Sequence, residues 1–125
     1  MFGKKVPKYL RVWFLIHFVV DVIFAIPLIF FPVWFLSSFA FPADEAVMAR
    51  LVGAALIGIG GASLFANKKG WETYDILLTL KILWSVSAIV ALMISFFLTM
   101  NPVLWLLIII FGGFSGIWTY YKFKK

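Results

Sequence analysis

At 125 residues, 65% of them hydrophobic and 13% charged, the chain is too apolar for a water-soluble domain and long enough for one membrane domain. Its formal charge of +6 comes without a polar segment that could fold around nucleic acid, so no nucleic-acid partner is expected and the basic residues read as orientation signals and lipid-headgroup contacts. With no cysteine, disulfides, thiolate metal sites and thiol redox chemistry are excluded.

A bilayer span takes about 20 mostly apolar residues. The runs 12–31, 46–66, 76–98 and 102–121 qualify, and around them helices are predicted at about 10–32, 44–66, 72–98 and 102–121. The expected fold is all-α, an integral membrane four-helix bundle of up-down-up-down topology, with residues 1–125 forming a single transmembrane domain.

Lys4, Lys5, Lys8 and Arg11 precede the first span, and Ser38-Phe39-Ala40 offers a small-x-small site, as in a signal peptide. Its apolar run is longer than the roughly 7–15 residues of a signal-peptide core, so a retained span is expected. Pro32 should end or bend this helix, with Trp34 and Phe35 at the outer interface beyond it. Asp44 and Glu45 suit the start of the second helix, where the dipole favours negative charge. Asn67 can cap its end, with Lys68 and Lys69 alongside. Gly70-Trp71-Glu72 begins the third helix, Asn101-Pro102 opens the fourth, and Trp105 and Trp118 read as interfacial anchors. Of the eleven Lys and Arg residues, nine fall at the two termini and the 67–70 connector, which the positive-inside rule places in the cytoplasm, most simply beneath a cell membrane. The 37–44 and 99–101 connectors then face outward.

Small residues recur at helical spacing: Ala54, Gly58, Ala62 and Ala66 in the second span, and Gly112 and Gly116 as a GxxxG in the fourth. Lipid supplies no hydrophobic drive for helix association, so such stripes are read as packing faces, within the bundle or between copies.

Against this background His17, Asp21, Arg50, Lys81 and Ser85 form a candidate intramembrane polar cluster. His17 and Asp21 share one face of the first span, as Lys81 and Ser85 share one face of the third. By helical rise Asp21 lies about 14 Å into its span, and His17 and Lys81 each about 8 Å into theirs from the same side. Arg50, near the outer surface, can point inward or snorkel outward. A central Asp costs about 2.5–3.5 kcal/mol on an insertion scale, whereas the fifteen Leu, Ile, Val and Phe residues of span one return about 4.5–9. Insertion survives, but Asp21 should face protein or water, and partnership with Lys81 and Arg50 is expected. Two readings stay open for the cluster: a proton- or cation-binding carboxylate with His17 as relay, or an ion pair that fixes helix register.

Sharper chemistry finds little support. His17 is the single histidine, so no haem, metal or other cofactor site is expected. A Ser85–His17–Asp21 triad can be drawn, but no GxSxG elbow accompanies it and no catalytic residue is assigned. Glu72 and Asp75 complement the dipole at the start of span three.

Pro32-Val33-Trp34-Phe35-Leu36, then Phe41-Pro42, then Arg50-Leu51-Val52-Gly53-Ala54 and the glycine-rich run to Gly61 resemble small four-span membrane proteins of the DoxX-like and BphX-like kind. That resemblance implies a four-span bundle and brings no catalytic residues with it.

Three functions compete. The first is a non-enzymatic accessory or assembly bundle, packing with itself as a homo-oligomer or with a larger membrane complex, its other partner being membrane lipid. The second is a small proton- or ion-coupled transporter or channel using Asp21. The third is a binder or enzyme for a lipid-soluble substrate. The small-residue faces and the lack of a soluble domain favour the first.

Overall fold

A computed structural model describes residues 5–39 and 46–124. The expectations placed on Lys4, Ala40, Phe41, Pro42, Asp44, Glu45 and Lys125 lie outside the described residues. Among the described residues five helices follow one another: α1 (Lys8–Phe30), α2 (Pro32–Ser38), α3 (Ala46–Phe65), α4 (Trp71–Thr99) and α5 (Val103–Phe123). There is no strand among the described residues. All but α2 are long and apolar enough to cross a membrane, which makes this an all-helical integral membrane protein with four candidate spans.

The helix ends have local causes. Pro7 precedes α1, its fixed φ and missing N–H costing nothing where no intrahelical partner exists. The residue before a proline is pushed out of the helical region, and Phe31 accordingly sits at φ −133°, ψ 50°. Pro32, expected only to end or bend the first helix, then serves as first residue of a new seven-residue helix, α2. Phe35 on α2 meets Phe24 of α1 edge-on, with ring centroids 6.1 Å apart. At the other hairpin, Met100 takes φ 56°, an uncommon left-handed turn for a residue with a side chain. The Asn101 side-chain oxygen accepts the Val103 N–H at 3.1 Å, so Asn101 does open α5.

The chain divides into two compact units, Met1–Thr73 and Tyr74–Lys125. In the first, α1 and α3 run antiparallel. Arg11 meets Asn67, Asp21 meets Gly60, and Ile29 meets both Gly53 and Arg50, so positions advance along one helix as they recede along the other. The buried residues of α3 are Ala49, Gly53, Leu56, Gly60 and Ser63, spaced alternately four and three apart on a single stripe. They face Leu10, Phe14, His17, Asp21, Ala25 and Leu28, the buried residues of α1.

This differs from the stripe expected from small-residue spacing. Ala54 and Gly58 lie on the exposed side of α3 and Ala62 is half-buried, whereas Ala66 is buried just beyond the helix end. A methyl group added at Gly58 would meet nothing within 4 Å; at Gly60 it would come 2.9 Å from the Asp21 Cβ, and at Gly53 2.6 Å from Ile29 Cγ1. Close approach is made through Gly53 and Gly60, because only there does the α1 surface lie near enough to leave no volume for a side chain.

In the second unit α4 and α5 are also antiparallel. Asp75 pairs with Lys122, Lys81 lies over Trp118, Trp84 meets Phe111, and Phe96 meets Trp105. These are bulky side chains, so the two helices are joined by aromatic edges and long stems rather than by backbones in contact. Gly112 and Gly116 take no part: a methyl group at either meets nothing within 4 Å. Trp118 departs from the expectation of an interfacial anchor, being buried beneath Lys81 and stacked on Phe114 at 5.6 Å.

Candidate functional site

His17 and Asp21 project from successive turns of α1 onto its buried face, since residues four apart on a helix lie one above the other. His17 Nε2 lies 3.3 Å from Asp21 Oδ1, and each residue is only 4% exposed. The imidazole and the carboxyl therefore meet across one turn of helix, without help from a connector.

Gly60 is what allows Asp21 to be there. Asp21 Cβ and Oδ2 would lie 2.9 and 3.1 Å from a Cβ at residue 60, so the carboxyl rests directly on the α3 backbone. One turn further along the antiparallel register, level with His17, α3 places Ser63. Ser63 is fully buried, and its hydroxyl donates back to the Ile59 carbonyl at 3.2 Å. The stripe thus carries one imidazole, one carboxyl and one hydroxyl against a glycine, on otherwise apolar faces.

Two arginines tie the ends of the same helix pair. Arg11, in the first turn of α1, donates from Nη1 to the Asn67 carbonyl just past α3. Arg50, in the first turn of α3, donates from Nε to the Ile29 carbonyl at 3.1 Å, close to the end of α1. Helix C-termini leave carbonyls unsatisfied and carry partial negative charge, so a guanidinium is well matched to each. Arg50 is exposed and occupied at this helix end, which places it away from His17 and Asp21. The expected grouping of Arg50 with that pair is therefore corrected: its distance along α3 from Gly60 keeps it out of the cluster.

Lys81 and Ser85 belong to the second unit. Trp71, Tyr74, Leu78, Lys81 and Ser85 form the buried stripe of α4, again three and four apart. Lys81 is 1% exposed, and its Nζ stands 4.9 Å from the centroid of the Trp118 ring, which offers the ammonium its negative face. Ser85 Oγ donates to the Ile82 carbonyl at 3.2 Å. The Trp84 indole N–H, also buried, meets no acceptor among the described residues. Asp75 and Lys122 close one end of the hairpin with a 2.7 Å ion pair at partly exposed positions.

Residue spacing points to the His17–Asp21 pair and to the burial of Lys81. It misses Ser63, and it singles out neither Gly60 as the contact glycine nor Trp118 as a buried ring. The signal for Gly60 is present as one glycine among several, and for Trp118 as one aromatic a helical turn from the end of a span; neither signal separates these residues from their neighbours. No group of three or more potential metal ligands occurs among the described residues. No protein-family model, curated protein or solved structure matches this chain.

Proposed function

We propose that this protein is a non-enzymatic accessory bundle of the membrane, which assembles with a second copy of itself or with a larger membrane complex through α4 and α5. The observation that carries this reading is how little those helices bury. No residue of α4 beyond Ser85 is buried, and between Leu104 and Trp118 no residue of α5 is. Within that stretch Gly112, Gly113 and Gly116 are exposed and open onto free space, leaving a smooth strip where another helix can approach to backbone distance. The role of the His17–Asp21 pair is then structural. Pressed on Gly60, it fixes the α1–α3 register and leaves no volume for a ligand between Asp21 and α3. In this reading the four spans alternate in direction with both termini cytoplasmic, supported by the clustering of Lys and Arg at the termini and the 67–70 connector.

Purification in gentle detergent followed by native mass analysis tests the proposal. The expected result is a species heavier than one chain, either a homo-oligomer or a stoichiometric complex, which the Gly112→Leu/Gly116→Leu variant reduces to the single chain. A wild-type protein that runs at the mass of one chain, with no companion, rejects it.

A second reading, transport of protons or cations, is favoured by one observation: a carboxyl and an imidazole 3.3 Å apart, buried mid-helix in a span. Here Asp21 is the titrating group, so Asp21→Asn should abolish proton-coupled flux into proteoliposomes. Flux that persists in this variant removes Asp21 from any such mechanism.

A further inference from the structure

One end of the α1–α3 pair gathers positive charge in a way that folding does not require. Lys5 and Lys8 flank the start of α1, where the helix dipole is already positive; α1 has no acidic residue in its first turn and no side-chain cap. The hydrogen bond from Arg11 to the Asn67 carbonyl brings this start beside the turn that carries Lys68 and Lys69. Arg11 is answered by that carbonyl, whereas Lys5, Lys8, Lys68 and Lys69 are not buried by the fold. Glu72, exposed, is the one acidic side chain nearby among the described residues of this unit, since Asp21 lies mid-helix. Tyr9, 70% exposed beside Lys8, adds an amphipathic ring of the kind that settles at headgroup depth.

We infer that this end of the α1–α3 pair is a binding site for the phosphate of an anionic phospholipid such as phosphatidylglycerol. Two exposed lysines lie at one helix start and two in the facing turn, and the Arg11 clasp holds the two segments side by side. An anion seated there answers both the lysines and the uncapped positive end of α1. A zwitterionic headgroup brings its own cation and neutralises nothing, so the site discriminates by net charge. Lipid binding here is separate from assembly through α4 and α5, and the two can succeed or fail independently.

The test uses the full chain reconstituted in phosphatidylcholine bilayers, with spin-labelled phosphatidylglycerol or phosphatidylcholine as the reporter of lipid held at the protein surface. Wild-type protein should retain phosphatidylglycerol preferentially, and Lys8→Gln/Lys68→Gln should lower that preference by about five-fold for each lysine removed. Lys122→Gln/Lys124→Gln removes the same charge from the second unit and should leave most of the preference intact. Equal retention of the two lipids by wild-type protein overturns the assignment. So does an equal loss in the two double variants, which would mark diffuse attraction in place of a site. Both variants alter exposed or partly exposed side chains, and circular dichroism checks that each retains its helices.

Discussion

Gly60→Ala should destabilise the first unit by about 1–3 kcal/mol, the usual cost of forcing atoms into a filled contact, and Gly60→Leu by more. The added Cβ sits 2.9 Å from the Asp21 Cβ, which cannot swing aside because it is fixed to the α1 backbone. The helices must separate, and the His17–Asp21 pair loses the surface that confines it. Gly58→Ala is the matched control on the same helix: its Cβ enters open space, and alanine in place of helical glycine should stabilise by about 0.5–1 kcal/mol. Thermal unfolding in detergent, followed by circular dichroism, reads both. If the two variants melt alike, the α1–α3 contact does not pass through residue 60.

Trp118→Ala should cost about 3–5 kcal/mol, the range for emptying the site of a large buried aromatic. Two losses combine. The ring stacks on Phe114 at 15° between planes, and removing it opens a void beside the buried Lys81. The ring also lies under the Lys81 ammonium, a contact worth about 2 kcal/mol when water is excluded. Trp118→Phe keeps a smaller ring face and should recover part of the stability. Lys81→Met keeps the length of the stem without the charge; if the contact is attractive, Lys81→Met and Trp118→Phe will be less than additive in a double-mutant cycle. A Trp118→Ala protein with unchanged melting would mean that the ring is not the support of Lys81.

The spans are legible in the sequence because a bilayer demands long apolar runs, and only polar ends or prolines can stop them. The pairing of His17 with Asp21 is legible because it lies within one helix, where spacing alone determines which side chains share a face. The rotation of α3 is not. Gly53, Ala54, Gly58, Gly60, Gly61 and Ala62 put small residues on two sides of that helix, and in lipid the ordinary cue is missing, because the outward face is as apolar as the inward one. Trp118 is ambiguous for a related reason: an indole near a span end suits an interface and a packed core equally well, until a partner such as Lys81 is seen against it. Helix α2 is hidden because Pro32 reads as a stop, whereas a proline at the first position of a helix is equally a start.

The two arginine clasps bear on which movements the α1–α3 pair can make. Sliding one helix past the other by a single turn, about 5.4 Å, is a common way for packed helices to switch between states. Such a piston stroke would pull Arg11 from the Asn67 carbonyl and Arg50 from the Ile29 carbonyl together, since each helix reaches for the far end of its neighbour. It would also carry the Asp21 side chain off glycine and onto a residue with a Cβ, Leu56 in one direction or Ser63 in the other. Any mechanical signal crossing this part of the protein must therefore travel with the two helices as a single strut.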